Sequence, residues 1–351
     1  MAVTVKLRPP GLNCQPSQLL DASASLAPWS PHLSRIPRAA IRDYPDRNQE
    51  SLRHVMAGLH GLDPDAVLPG NGAAELFTWA ASDAVKAGVS ALLAPGFADY
   101  RRALECWKAP WIDAPLESCW DHAGPLEHPP LPAAVAWICN PHNPTGQLWS
   151  RASLQPLLKR YALVICDEAF LPLVPYGEQH SMIPLVEKHP NLVVIRSLTK
   201  LFGVAGLRVG YAVAHPDRLR RWSGWRDPWP VNGIAAAMTE QLLVPRGRYQ
   251  RWCRRVQHWT ASEGAWMQWQ LSAVPGLCPM PSSANFLLIA GSGSLVPLRE
   301  AMEQRHRILL RDCRSFEGLG EDWLRIGLQA RRNNRRIVRA LREELKRSPL
   351  A

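Results

Sequence analysis

Lys200 follows the apolar run Val193-Val194-Ile195 and ends the string Ser197-Leu198-Thr199-Lys200, with Gly203, Gly206, Arg208 and Gly210 close behind. A lysine amine at the end of a strand can condense with an aldehyde and hold it covalently. Arg208, eight residues on, offers a phosphate a permanently charged, two-pronged partner, and Ser197 adds a hydroxyl donor. A second apolar run ends in Cys166-Asp167-Glu168-Ala169-Phe170, where the Asp167 carboxylate can keep a heterocyclic ring nitrogen protonated. In Asn140-Pro141-His142-Asn143-Pro144-Thr145-Gly146, two Asn-Pro steps turn the chain and can aim the Asn143 amide at a phenolic oxygen. Gly70-Asn71-Gly72-Ala73-Ala74-Glu75-Leu76 opens a helical pattern. Small residues there let the backbone N–H groups of Gly72, Ala73 and Ala74 approach a phosphate. Tyr100, in Pro95-Gly96-Phe97-Ala98-Asp99-Tyr100, has a ring that can lie on an aromatic ligand. An aldehyde, a phosphate, a phenolic oxygen and a ring nitrogen together describe pyridoxal 5′-phosphate (PLP), an electron sink for amino-acid chemistry.

Each element alone has an ordinary explanation: a surface lysine, a capping aspartate, a Pro-rich turn, a capped helix, a packed tyrosine. Their joint occurrence in one chain, each anchor after a predicted strand, is what points to one cofactor. Those strands are read at Ser90–Ala94, Ala134–Cys139, Leu163–Cys166, Leu192–Arg196 and Val209–Val213. Helical patterns such as Ala73–Ala87 and Ser153–Tyr161 alternate with them, which predicts an α/β fold with a mostly parallel central sheet. Ligands of such sheets lie at the carboxyl ends of strands. A Trp- and Pro-rich loop over Trp222–Val231 precedes a long helical stretch from Asn232 to Leu271, and Ala284–Ile289 and Trp323–Leu328 read as further strands. The expected organisation is a large PLP-binding domain over 30–232, with 1–29 and 233–351 forming a smaller α+β domain.

Composition narrows the class. The chain has 351 residues, 46% of them hydrophobic, enough for a sizeable core. No apolar run reaches the roughly 18 residues of a spanning helix, so no membrane partner is expected. The first residues lack the apolar core of a secretory signal. The eight cysteines are scattered without close C-x-x-C pairs. A cytoplasmic protein with free thiols and no metal site is expected. The net charge of +11 is concentrated in Arg251–Arg255 and in 331–347. In the latter, Val338, Leu341 and Leu345 recur at helical spacing, so its arginines read as a solvated face. With no zinc finger, recognition helix or aromatic-basic RNA motif, nucleic acid is not an expected partner.

These motifs resemble the class I/II aminotransferases, the fold-type-I PLP enzymes, over nearly the whole chain from Asp21 to Arg342. The nearest branch holds histidinol-phosphate aminotransferase and L-threonine-O-3-phosphate decarboxylase. The resemblance implies an aspartate-aminotransferase-like fold and a homodimer with active sites at the subunit interface. It implies Lys200 as the cofactor lysine, Asp167 on the pyridine nitrogen and Asn143 on the phenolic oxygen. Ser197, Arg208, Gly72, Ala73 and Ala74 would hold the phosphate, and Tyr100 would stack on the ring. Tyr44, in Asp43-Tyr44-Pro45-Asp46, would reach the neighbouring subunit's cofactor phosphate. Phe170, Pro228-Trp229-Pro230-Val231-Asn232, the segment 308–313 and Trp323-Leu324-Arg325-Ile326 are similar to the decarboxylase branch. By that match Arg325 would clamp a substrate carboxylate and Arg311 its phosphate. Ser25 stands where those enzymes carry an asparagine near the substrate phosphate, so its donor has shorter reach. The expected reaction is decarboxylation of L-threonine O-3-phosphate to (R)-1-aminopropan-2-ol O-phosphate, a precursor of cobalamin-type corrinoids. The alternative is transamination of histidinol phosphate or another amino acid with 2-oxoglutarate, which would use the same lysine, aspartate and asparagine. A regulatory PLP-binding module without turnover is a third, more distant reading.

Overall fold

The computed structural model describes residues 19–33, 35–116 and 132–350. A two-residue strand, Leu20–Asp21 (β1), leads into the body of the protein. The central sheet is then built from Val67–Gly70 (β2), Ser90–Ala94 (β3), Trp111–Pro115 (β4), Val135–Cys139 (β5), Leu163–Asp167 (β6), Leu192–Ser197 (β7) and Gly210–Ala214 (β8), in the order β2-β8-β7-β6-β5-β3-β4. β8 runs antiparallel to both of its neighbours, and the remaining pairs are parallel.

The sequence reason is direct. β5, β6 and β7 are short runs of Val, Ile, Leu, Cys and Trp buried at every position, the signature of parallel strands covered on both faces. Alternate residues serve two cores. Ala136, Ile138, Val164, Cys166 and Val194 face one, while Val135, Trp137, Leu163, Ile165, Val193 and Ile195 face the other. The second core is covered by helix Gly72–Ala87.

The smaller unit carries an antiparallel sheet of Leu277–Pro279 (β9), Phe286–Gly291 (β10), Arg311–Asp312 (β12) and Trp323–Gly327 (β13), ordered β12-β13-β10-β9. β1 pairs in parallel with Ile308–Leu309 (β11). Helix Arg331–Arg347 buries Ile337, Val338, Leu341 and Leu345 and turns its arginine-rich face outward, as its period predicts.

Three expected elements change. The stretch from Asn232 to Leu271 is two helices, Gly233–Leu243 and Arg246–Ser272, because Pro245 supplies no N–H and cannot continue the first. Pro156 divides 153–161 in the same way, into Arg151–Leu154 and Leu157–Arg160. Trp222 belongs to helix Pro216–Trp225, not to a loop. It is fully buried, and its Nε1 donates to Asp83 Oδ2 at 3.2 Å.

Candidate active site

The carboxyl ends of four adjacent parallel strands, β7, β6, β5 and β3, meet along one edge of the central sheet. Cys139 sits opposite Asp167, and Asp167 opposite Ile195. The Asn140 loop, the Asp167 carboxylate and the Ser197–Lys200 turn are therefore neighbours by register. They line a cavity of 260 Å³ together with Ser23, Ser25, Ala73, Ala74, Phe97, Phe170, Arg208, Arg311, Phe316 and Arg325. Two larger hollows, of 490 and 410 Å³, open elsewhere on the surface. Neither contains these groups.

Each anchor is held by its own local chemistry. Asp167 is 4% exposed. Its Oδ2 accepts from the Tyr100 hydroxyl at 2.6 Å, and its Oδ1 accepts from the Ala169 amide at 2.9 Å. Burial pushes its carboxyl up to about 6 against these donors and the nearby Lys200 charge. Lys200 lies in the short helix Leu198–Phe202, with Nζ 5.6 Å from the Phe170 ring centre. Burial, and then the Arg325 charge, lower its ammonium below the ordinary value. Asn140 and Trp149 exchange two hydrogen bonds of 2.9 Å, which pins the turn carrying Asn143.

Glycine matters at two places. Gly72 has φ +74°, and a Cβ there would lie 2.5 Å from Arg208 Nη2. The missing side chain is what lets the guanidinium sit over the first turn of helix Gly72–Ala87. Gly146 has φ +77°, and a Cβ would strike Ser282 Oγ at 2.1 Å. The Asn143 turn thereby touches the loop that leads into β10. Gly146 O accepts from the Ser283 amide at 2.9 Å.

Arg325, on β13, is buried. It donates to Asn143 Oδ1 and, at 3.0 Å, to the Ser23 carbonyl. Its guanidinium stacks 4.9 Å from the Phe286 ring and its Nε has no partner among the described residues. Burial lowers its pKa to about 10. Arg311 donates to Ser315 Oγ at 2.8 Å. Ser25 Oγ is buried and likewise unpartnered. Ser197 Oγ lies 2.8 Å from Thr199 Oγ1.

These residues suit PLP. Arg208 and the open first turn around Ala73 and Ala74 suit its phosphate, Asp167 its ring nitrogen, Asn143 its phenolic oxygen and Lys200 its aldehyde. Gly72 lies beneath Arg208 and does not itself line the cavity.

One sequence-based expectation lands elsewhere. Tyr100 does not line the cavity: its ring packs against Phe77, Phe97 and Trp137 behind Asp167, so it cannot lie on a ligand held there. Phe97, three residues earlier in the same segment, lines the cavity instead. An aromatic after Pro-Gly at the end of β3 was the available signal. Tyr44, expected to reach a neighbouring subunit's cofactor, lies outside this chain's own cavity. It is 80% exposed and stacks on Trp229 with ring centres 4.5 Å apart. Ser23 and Phe316 were not singled out by sequence, and no local pattern marks them.

The Asn143 turn also carries a pH-sensitive group. His142 is buried and its imidazole is held down to about 3 by burial. His60, whose Nε2 lies 2.8 Å from the Tyr211 hydroxyl, is held down to about 4 by burial and by Arg196. Below the ordinary histidine value of 6.5 the unfolded chain takes up these two protons and the folded chain does not, so stability falls with pH. Asp167, raised in the fold without cofactor, acts in the opposite sense between its ordinary 3.8 and about 6. Glu168, also raised by burial, acts with Asp167; the two histidines together cost about 3 kcal/mol between pH 7.5 and 5.5, and the two carboxyls offset part of it. Cofactor-free protein is expected to melt at a lower temperature at pH 5.5 than at pH 7.5. Equal or higher melting at pH 5.5 would contradict the assignment of both histidines, His142 buried and His60 partly buried, as neutral.

Comparison with known proteins bears on this geometry. The family described as aminotransferase class I and II matches residues 37–343. A threonine-phosphate decarboxylase from Salmonella typhimurium is 32% identical over 349 residues, covering 95% of this chain and 93% of its own length. A histidinol-phosphate aminotransferase from Symbiobacterium thermophilum is also 32% identical, over 320 residues, with 89% and 85% covered. Among solved structures, L-threonine-O-3-phosphate decarboxylase from Porphyromonas gingivalis superposes with a TM-score of 0.81 at 24% identity, covering 93% of this chain and 100% of that one.

Proposed function

The chain belongs to the class I and II aminotransferase family, whose members use PLP, and from that premise we propose that it is a lyase that decarboxylates L-threonine O-3-phosphate. The observation that carries the reading is the charge of the cavity. Lys200, Arg208, Arg311 and Arg325 line it, against the carboxylates of Asp167 and Asp99 alone. With Arg208 on the cofactor phosphate, two arginines remain for a substrate that bears both a carboxylate and a phosphate. Ser25 Oγ, buried and unpartnered beside them, adds a donor for that substrate. The Salmonella typhimurium relative bears the name of this activity.

When bound, PLP supplies an electron sink through its conjugated ring. The chain's own residues do the rest. Burial keeps a share of Lys200 Nζ in the neutral form that can react with an aldehyde. Arg325 and Arg311 fix the two ends of the substrate, which decides which bond at Cα stands perpendicular to the ring. Holding the Cα–carboxylate bond there gives decarboxylation, and holding Cα–H there gives transamination. After carbon dioxide leaves, Lys200 Nζ returns a proton to Cα. Phe170 presents an apolar ring to Lys200 and has no group to donate, which supports Asn143 as the donor to the phenolic oxygen.

The proposal includes a homodimer in the cytoplasm. Exposed Ile41, Tyr44 and Trp229 would meet a second copy, with Tyr44 reaching its cofactor phosphate. The six described cysteines carry no disulfide, which suits a reducing compartment. Among the described residues no helix is long and apolar enough to cross a membrane.

PLP-loaded protein mixed with L-threonine O-3-phosphate, and no 2-oxo acid, is expected to release carbon dioxide over many turnovers. No release, with turnover of histidinol phosphate once 2-oxoglutarate is supplied, would establish the aminotransferase instead. The Symbiobacterium thermophilum relative keeps that outcome in view.

A further inference from the structure

Asp167 is gripped from behind by a hydroxyl that never meets the cavity. Tyr100 is 5% exposed on helix Asp99–Cys106. Its ring is wedged edge-on to Phe77 at 5.1 Å and Phe97 at 5.5 Å, and tilted against Trp137 at 5.3 Å. That packing aims the hydroxyl at Asp167 Oδ2, 2.6 Å away. The other groups facing the carboxylate are few. The Ala169 amide bonds Oδ1, and Cys139 Sγ stands 3.9 Å from Oδ2 and is a weak donor. Lys200 acts through space on the cavity side. Glu168, the next residue, is engaged with Arg196, Ser181 and the Met182 amide. Among the described residues Asp167 forms no ion pair within 4.0 Å. Without a strong donor, a carboxyl buried this deeply would take up a proton, and a neutral acid cannot keep a ring nitrogen cationic.

We propose that Tyr100 is a positioning residue whose hydroxyl holds Asp167 ionised and oriented, so that the proton shared with the PLP ring nitrogen rests on the nitrogen. The proposal rests on the placement of Asp167 at that nitrogen. A phenol suits the task. It donates one proton along a direction fixed by its ring, and burial keeps it from ionising, since its own pKa is pushed well up. A donor to an ionised group biases such an equilibrium by about ten- to a hundredfold.

The test uses the PLP-loaded enzyme with ¹⁵N at the ring nitrogen. Tyr100→Phe keeps the ring that packs on Phe77, Phe97 and Trp137 and removes only the hydroxyl. The ¹⁵N resonance is expected to move toward that of unprotonated pyridine, and PLP to dissociate about tenfold more readily, with the melting temperature nearly unchanged. A purely packing role for Tyr100 would leave the resonance where it is. Asp167→Asn separates the two layers of the argument. If Asp167→Asn also leaves the resonance in place, the carboxylate is not at the nitrogen and the underlying placement falls. If Asp167→Asn shifts it and Tyr100→Phe does not, the proposal for Tyr100 is overturned alone. Should Tyr100→Phe fail to fold, 3-fluorotyrosine at position 100 supplies a more acidic donor of nearly the same shape. It is expected to move the ¹⁵N resonance further toward that of a protonated pyridine, and an unchanged resonance overturns the proposal equally.

Discussion

Lys200→Ala is expected to leave a folded protein that binds PLP without the visible absorbance of the lysine-linked cofactor and turns over at a small fraction of the native rate. Lys200 is the one lysine that lines the cavity among the described residues, so no neighbouring amine stands ready to replace it. Two functions go at once: the covalent tether, and the group that moves a proton at Cα. Loss of general acid–base catalysis alone costs about 10²- to 10⁴-fold. Nζ lies beside Phe170 and makes no hydrogen bond among the described residues, so its removal leaves no buried polar partner stranded and the melting temperature should hold. Absorbance and single-turnover kinetics on the purified variant check both halves. A variant that keeps the native band would place the covalent link on another residue and remove the basis of the active-site assignment.

The second large effect runs in opposite directions for activity and stability. Arg325→Met is expected to lower kcat/KM by about 10²- to 10³-fold, the usual consequence of removing one side of a buried charged contact, and to raise the melting temperature. Arg325 is buried with no carboxylate within ion-pairing distance among the described residues, and burial has lowered its pKa from the ordinary guanidinium range to about 10. Holding that charge in place costs about 3 kcal/mol before any substrate arrives. A methionine of similar length would fill the space against Phe286 and Phe316 without that cost. The hydrogen bonds to Asn143 and Ser23 are lost as well, but one acceptor is a side chain and the other a carbonyl at the cavity wall. Melting curves and steady-state kinetics on one preparation settle the point. A fall in melting temperature would mean that those hydrogen bonds outweigh the buried charge.

How far the sequence reached depends on whether the deciding contact was local. Lys200, Asp167 and Asn143 each follow an apolar run within a few residues, so strand pattern and motif together sufficed to bring them to one edge of the sheet. Phe97 and Tyr100 show the limit. Both are aromatic, three residues apart in one segment, and nothing in the segment says which faces the ligand. The start of helix Asp99–Cys106 decides it, by turning Tyr100 into the core that Phe77 and Trp137 complete. Arg325 was legible only through resemblance, because its partners, Asn143 and Ser23, lie 182 and 302 residues away in sequence. The breaks at Pro156 and Pro245 were legible in principle. There the apolar period runs on through a residue that cannot sustain a helix. β2 and β4 carry little strand signal, because short edge runs such as Val67–Gly70 and Trp111–Pro115 each contain a proline and read more naturally as loop.

The first described stretch of the chain is tied down by main-chain bonds as well as by packing of Ala22, Ala27 and Trp29. Leu20 and Ala22 donate to the carbonyls of Arg307 and Leu309, Ala22 accepts from the Gly327 amide, and Ala27 donates to the Lys200 carbonyl. Ser23, Ala24 and Ser25 meanwhile line the cavity. The strap holds both to the turn that carries Lys200 and to the strand that leads into Arg311. A change that loosened it would therefore be felt at two walls of the cavity at once, although it touched neither of those side chains.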